Sequence, residues 1–387
     1  MVICDMEKCS GCCACYNICS FDAIGMAEDA LGRIVHYVDD DKCSDCGLCK
    51  KICPANNAPK SNRPVKCYAM YSRSKTDSKS SSGGASALLG RSVTAGNGVV
   101  YGVAFDGDMK AVYTSADDNK ELDSFRGSKY VYAFPGKIFV HIKSNLEQGK
   151  RCFFVGTPCH VAGLKSFLGN KEWPNLYTAD LICHGTPPAA YLDQHLKDIS
   201  VNREIDNVTF RGEHNYFLTL MSNGKIAYKK RWDEDAYFSA FMHEITFREN
   251  CYSCDYACGN RMGDITIGDF WELGKDALEG YPGKVSTILV NTEKGNEMVS
   301  WMYGEAAIEE RPIQEAVVGN LRLCAPSVRP ADRSEFSKVY VESGFRAAIE
   351  ATGIAGKIRI AKIKNLILRF PRYIRRVHKQ KGAESYF

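Results

Sequence analysis

No run of apolar residues in this 387-residue chain approaches the length that a helix needs to cross a bilayer, so no membrane span is expected. The opening, Met1-Val2-Ile3-Cys4, lacks a basic segment followed by an apolar core, and no secretory signal is expected either. Basic surplus is missing from most of the chain. The net charge is +4, but ten Lys or Arg and a single acid, Glu384, follow from Ala351 onward, so the preceding 350 residues sum to −5. That balance gives no footprint for nucleic acid. A composition of 45% hydrophobic and 25% charged residues is ordinary for a soluble globular protein, and the length allows two or three domains.

Cysteine, in contrast, is abundant, with 18 residues. Cys9, Cys12, Cys15 and Cys19 read C-x2-C-x2-C-x3-C, and Cys43, Cys46, Cys49 and Cys53 repeat the spacing, with Pro54 behind the second run. This is the ligand pattern of a two-cluster bacterial ferredoxin, in which the fourth cysteine of each run serves the other cluster. The spacing predicts one 4Fe-4S cluster on Cys9, Cys12, Cys15 and Cys53, and another on Cys43, Cys46, Cys49 and Cys19. Zinc ribbons use two separated cysteine pairs and fit less well. Iron–sulfur thiolates need a reducing compartment, which predicts a cytoplasmic protein.

Residues 1–58 thus read as a ferredoxin module, with short strands at Ala23–Met26 and Arg33–Tyr37 joined at Asp29–Gly32. A Pro-containing linker, Asn56–Lys66, follows. From residue 65 to 204 strand and helix alternate: strands at Cys67–Tyr71, Val99–Phe105, Met109–Thr114, Arg151–Val155 and Leu176–Ile182, and helices at Ala85–Thr94, Gly136–Gln148, His160–Leu168 and Pro188–Ile199. This pattern predicts an α/β layer with a largely parallel core. Residues 205–350 differ in texture. Val208–Arg211, Phe217–Met221 and Lys225–Tyr228 read as a β-meander turning at Asn223-Gly224, and Trp232–Phe247 as an aromatic-rich helix.

A second cysteine set lies outside the ferredoxin module. Cys159 and Cys183 each follow a predicted strand, at the sheet edge where ligands collect in open parallel sheets. Cys251-x2-Cys254 comes later, with Cys258 four residues on. Four thiols of this kind suit a third cluster, but also a zinc site, a redox dithiol or buried free cysteines. Cys67, Cys152 and Cys324 read as core thiols, and Cys4 and Cys13 have no assigned role.

Taken in order, several segments resemble the coenzyme F420 hydrogenase/dehydrogenase beta-subunit family in its form with an N-terminal two-cluster ferredoxin. They are Ser81-Ser82-Gly83-Gly84, Gly127-Ser128-Lys129-Tyr130, Gly156-Thr157-Pro158-Cys159-His160-Val161-Ala162-Gly163-Leu164 and Asp180-Leu181-Ile182-Cys183-His184-Gly185. Cys251-Tyr252-Ser253-Cys254 follows, leading to Gly263-Asp264-Ile265-Thr266-Ile267-Gly268-Asp269-Phe270-Trp271. The resemblance implies an FAD protein with a third 4Fe-4S cluster on Cys159, Cys183, Cys251 and Cys254, with Cys258 as a spare. It also implies flavin contacts at Ser82, Gly83 and Gly84, where a Gly-rich turn opening a helix suits a pyrophosphate. Lys129 and Tyr130 are expected near the isoalloxazine or its substrate, Lys129 as the candidate catalytic group. Asp264 and Asp269 flank a strand directed at the crevice, Phe270 and Trp271 could wall it, and His160 and His184 are expected beside the ligands. Ser20 stands where many ferredoxin runs have Pro.

Residues 351–387 form a basic tail. Ile363, Leu366, Ile367, Phe370, Ile374 and Val377 recur at helical spacing among Lys and Arg, which suits an anionic membrane surface or a helix packed on the body. The expected protein is an α/β flavin and iron–sulfur oxidoreductase, cytoplasmic or peripheral at the inner membrane face. Its redox partner would be ferredoxin, F420 or NAD(P)H. A non-catalytic electron-relay subunit is the alternative, and a zinc-stabilised binding protein a third.

Overall fold

The N-terminal module is built on two antiparallel strands, Ile24–Glu28 and Ile34–Val38. Asp29 fixes the turn between them: its carboxylate accepts from the Leu31 and Arg33 amides and pairs with Arg33 Nε at 2.7 Å. The cysteine runs wrap this hairpin and lead into two short helices, Ala14–Ile18 and Leu48–Lys51. Gly11 has φ +68°, and a Cβ there would stand 2.9 Å from the Tyr132 hydroxyl, so the first run depends on glycine at this turn. The structure is a computed structural model describing residues 1–200, 204–212, 215–281 and 283–367.

An eight-stranded mixed sheet forms the body. Its order is Ala306–Arg311, Lys66–Ser72, Ser286–Val290, Ile265–Asp269, Leu176–Leu181, Cys152–Gly156, Val99–Phe105 and Ala111–Ala116. The four strands from Ile265–Asp269 to Val99–Phe105 run parallel, and the flanking strands pair antiparallel. Both faces are buried. Phe153, Tyr177, Ile265 and Ile288 pack with Leu88, Leu89 and Met298 on one side, while Tyr101 and Phe154 pack with Phe139, Val161 and Leu164 on the other. Each such side chain contributes about 1.5–3 kcal/mol of burial. The parallel core therefore has the breadth of four strands, and antiparallel additions complete it.

The meander is present as Asn207–Arg211, Tyr216–Ser222 and Lys225–Arg231. Asn223 and Gly224 both have positive φ, as a tight hairpin turn requires. Two expected elements are shorter or shifted. The helix predicted over 232–247 runs only from Ala236 to Met242, because Asp235 caps it by accepting from the Phe238 amide and the chain turns at Glu244, φ 60°. The strand expected at 109–114 begins at Ala111, because Asp106 accepts from the Asp108 and Lys110 amides and extends the turn.

The Arg333–Ala351 helix is followed by helical residues 354–367. Ile354, Ile358 and Asn365 face the body, Asn365 Nδ2 donating to Glu234 Oε1. Ile360, Ile363, Leu366 and Ile367 are left more than 60% exposed. The remainder of the predicted amphipathic tail, including Phe370, Ile374 and Val377, lies outside the described residues. No helix among the described residues is long and apolar enough to cross a membrane.

Candidate functional site

Three recesses are each ringed by four of the predicted cysteine ligands. The outermost, about 410 Å³, is lined by Cys19, Cys43, Cys46 and Cys49 with Phe21 and Leu48. Cys46, Phe21 and Leu48 are exposed. The second, about 360 Å³, is lined by Cys9, Cys12, Cys15 and Cys53. The last cysteine of each run thus stands with the other run. Cys4, Cys13 and His36 also line the second recess. The sulfurs of Cys4 and Cys9 lie within 4.8 Å of each other and of a His36 ring nitrogen. The neighbouring Cys4 thiol draws both Cys9 and Cys53 below their usual range. No spacing rule marks Cys4, because it precedes the run by way of a turn at Asp5–Lys8.

The third recess, about 570 Å³, opens at the carboxyl edge of the parallel strands and is lined by Cys159, Cys183, Cys251 and Cys254. Cys159 sits in the first turn of the Pro158–Phe167 helix, behind Thr157, whose Oγ1 is 3.2 Å from its Sγ. Cys183 follows the Leu176–Leu181 strand, and Cys251 lies in the short Glu249–Tyr252 helix. Cys258 turns away: its thiol donates to the Asp255 and Asn260 carbonyls. Cys67 and Cys152 are buried, but Cys324 is exposed, because the turn after Leu321–Leu323 puts it at the surface rather than in the core.

The chemistry of the third recess suits an anionic thiolate centre. Its lining contains no carboxylate but includes Arg261 and Arg322, held from behind by Asp180 and Glu244. Burial pushes Cys159 and Cys254 up to about 12, so a bound metal would have to supply the charge that makes them thiolates. His160 Nδ1 lies 2.8 Å from the Tyr113 hydroxyl, while its buried Nε2 has no partner among the described residues. Burial lowers His160 to about 3, so the ring is neutral. His184 is exposed and lines the same recess.

The second and third recesses are neighbours. Ser10 lines both. Tyr132, in the third, donates its hydroxyl to the Gly11 carbonyl at 2.6 Å. The ferredoxin-like module is anchored further by Asn17 Nδ2 to the Gly136 carbonyl and Lys137 Nζ to the Tyr16 carbonyl.

The residues expected at a flavin converge only in part. Ser81 Oγ accepts from the Ser128 amide, which joins the Gly-rich segment to the 127–130 loop. Gly84, φ +91°, opens the Ala85–Ala95 helix, but Gly83 is a close-packing residue: a Cβ there would stand 2.2 Å from the Met70 carbonyl oxygen. The Ser82 hydroxyl donates to the Val285 carbonyl. Lys129 folds back, its amine donating to the Ser124 and Arg126 carbonyls, and burial lowers it to about 7. Tyr130 lies among Phe210, Phe238 and Phe241 and accepts from Arg211 Nε at 2.7 Å. Arg211 also reaches the Ser81 carbonyl and pairs with Asp269 at 2.5 Å. It had no sequence signal, being one Arg at the end of a strand. Asp264 lies at the opposite end of its strand from Asp269 and is structural, accepting from Thr178 N and Oγ1 and from Thr292 Oγ1. Neither Phe270 nor Trp271 lines the third recess. Phe270 packs with Cys67, Ala69 and Leu289, and Trp271 is exposed.

Residues 149–316 match the family described as the C terminus of the coenzyme F420 hydrogenase/dehydrogenase beta subunit, and residues 8–57 match the 4Fe-4S dicluster domain. No curated protein matches the chain. A similar solved structure is that of the F420-reducing NiFe hydrogenase complex from Methanosarcina barkeri, at 17% identity over 75% of this chain and 91% of that one, with a TM-score of 0.46. The chain thus carries a segment that matches the C terminus of the coenzyme F420 hydrogenase/dehydrogenase beta subunit, preceded by a 4Fe-4S dicluster domain.

Proposed function

We propose that the chain is an iron–sulfur flavoprotein oxidoreductase with three 4Fe-4S clusters. Cys19, Cys43, Cys46 and Cys49 hold the outer one, Cys9, Cys12, Cys15 and Cys53 the middle one, and Cys159, Cys183, Cys251 and Cys254 the inner one. The observation that carries this reading is the succession of three recesses, each ringed by four cysteines, with Ser10 shared between the last two. FAD would sit beside the inner recess, where the Ser81–Gly84 turn, Tyr130, Arg211 and Asp269 meet. Bound there, these groups would supply one-electron carriers and a two-electron flavin for a small substrate or an F420-like cofactor.

The chain's own residues have definable parts in this. His160 Nε2 is a neutral donor available to a cluster sulfur. Arg211 holds Tyr130 and Asp269 together, and the Tyr130 ring with its aromatic neighbours keeps water from that side. Lys129, lowered toward neutrality by burial and held by the Ser124 and Arg126 carbonyls, is a group able to take up or release a proton near neutral pH.

Anaerobic purification followed by iron, sulfide and flavin analysis tests the proposal. About 12 irons and one flavin per chain are expected, four irons for each cluster. F420H2, NADH and reduced ferredoxin, tried in parallel, then identify the donor. Protein without flavin overturns the flavin assignment. About eight irons would overturn the third cluster.

The exposed Cys46, flanked by exposed Phe21 and Leu48, favours a second reading as an electron-relay subunit docked on a partner enzyme. Turnover of a small acceptor by the isolated chain excludes it. We further propose that helix 354–367 and the tail beyond it rest on an anionic membrane surface, because apolar Ile360, Ile363, Leu366 and Ile367 stand exposed between Lys357, Arg359, Lys362 and Lys364.

A further inference from the structure

Between the second and third recesses lies a buried positive charge that no carboxylate pairs with among the described residues. Arg248 is 1% exposed. Its Nη2 donates to the Cys9 and Ile34 carbonyls, both at 3.1 Å, and its guanidinium lies 4.8 Å from the Tyr132 ring centroid. Among the described residues Nε has only a long contact, 3.5 Å, to Asn250 Oδ1, and Nη1 has no partner. Its backbone is fixed to the third recess, the carbonyl accepting from the Cys251 amide and the amide donating to the Thr186 carbonyl, while the side chain reaches the second.

Arg248 forms no ion pair among the described residues. The other two large, fully buried arginines do: Arg261 with Asp180 and Arg333 with Glu249. An uncompensated buried charge costs several kcal/mol, so a stable fold keeps one only where something neutralises it. The groups on its two sides are the Cys9 run, through the Cys9 carbonyl, and the Cys251 turn, three residues along the chain. A 4Fe-4S cluster on four thiolates is an anion in both of its working oxidation states. Adding one electron makes it more negative, and a fixed cation nearby favours that state.

We propose that Arg248 is the shared counter-charge of the middle and inner clusters, and that it raises the reduction potential of both relative to the outer cluster. The inference rests on the cluster assignments proposed above and goes beyond them, because it ranks the three sites energetically. Electron flow between the outer and inner recesses then has a built-in slope to which this one side chain contributes at both of the deeper sites. Each step is the gain of one electron by one cluster, with no bond made or broken and no proton moved.

The test uses the full-length, anaerobically purified protein and redox titration followed by electron paramagnetic resonance. Arg248→Gln is expected to lower the midpoint potentials of the middle and inner clusters by at least the equivalent of tenfold in the reduction equilibrium, about 59 mV for a one-electron couple. The outer cluster stays where it was, and Arg248→Lys retains most of the wild-type values. Should Arg248→Gln fail to retain its iron, Asn250→Asp answers the same question, since it sets a carboxylate beside the guanidinium without removing the hydrogen bonds to Cys9 and Ile34. It is expected to lower the potential of the middle cluster, whose recess Asn250 does not line. Full iron content with unchanged potentials in Arg248→Gln, or an unmoved middle cluster in Asn250→Asp, overturns the proposal. Wild-type protein with only about eight irons fails the cluster assignment instead, a distinct result.

Discussion

Gly163 lies directly against Cys12: a Cβ on Gly163 would stand 2.9 Å from the Cys12 Cβ and 3.1 Å from its Sγ. The helix that carries Cys159 is therefore seated on the first cysteine run through a residue with no side chain. Gly163→Ala should force that seat apart. Overpacking of this kind typically costs about 1–3 kcal/mol. Lower stability to denaturant is expected, with slower reoxidation of the inner cluster by an external acceptor. A variant with wild-type stability and kinetics would show that the contact tolerates a methyl group.

Cys183→Ser should remove about four irons and leave about eight, since its sulfur lines only the third recess. Cys258→Ser should retain all of them, because its thiol is engaged with the Asp255 and Asn260 carbonyls. Iron and sulfide determinations on the two proteins decide between Cys258 as ligand and as bystander.

Arg211→Ala should release flavin before iron. The guanidinium joins Tyr130, the Ser81 carbonyl and Asp269, and nothing in the cysteine recesses depends on it. Flavin released by acid is expected to fall several-fold while the iron count holds. Equal loss of both would place Arg211 in general stability instead.

Asp235 governs an acid limit on stability. Burial alone would raise its carboxyl, but His195, the Phe238 amide and the Tyr228 hydroxyl outweigh this and hold it below the usual value. A lowered folded value means that its contribution is complete above the unfolded value of about 3.9 and is lost as pH falls through the folded one. Asp235→Asn should cost about 1–3 kcal/mol at neutral pH. The gap between variant and wild type should narrow below about pH 4 in urea titrations. A gap that stays constant well below that pH would contradict this.

Replacing Ile360, Ile363, Leu366 and Ile367 together by Ser should abolish co-sedimentation with phosphatidylserine vesicles and leave the thermal transition in place, since none of the four is buried. Unchanged vesicle binding would remove the membrane role of this face.

The parts legible in the sequence are those fixed by local spacing or alternation. The doubled cysteine run, the hairpin at Asp29–Gly32, the Asn223-Gly224 turn and three of the four parallel strands announce themselves within a few residues, whereas the fourth, Ile265–Asp269, joins from the later part of the chain and the strands at Lys66–Ser72 and Ala111–Ala116 pair antiparallel. Cys159 and Cys183 can be placed on one crevice because each follows a strand of the parallel set. What stays hidden depends on contacts between distant segments. Arg211 and Arg248 are single arginines in unremarked positions, and their importance comes from partners 58 to 239 residues away. Gly83 resembles a phosphate-binding glycine because its sequence neighbours are Ser and Gly. Its actual constraint is the Met70 carbonyl of an adjacent strand. Phe270 and Trp271 are misplaced for a related reason: the direction of a side chain at the end of a strand depends on register, which the sequence alone leaves open.

Cys46 has a consequence for how this protein would fail. Among the cysteines lining the three recesses it is the most accessible. Oxygen or peroxide arriving from solvent therefore meets the outer centre first, and damage would advance inward. Early loss there would disconnect the chain from its redox partner while the deeper centres were still intact, so the exposed end would act as a fuse. A culture exposed briefly to air would then hold inactive protein that is still largely folded, repairable by rebuilding one cluster at the surface.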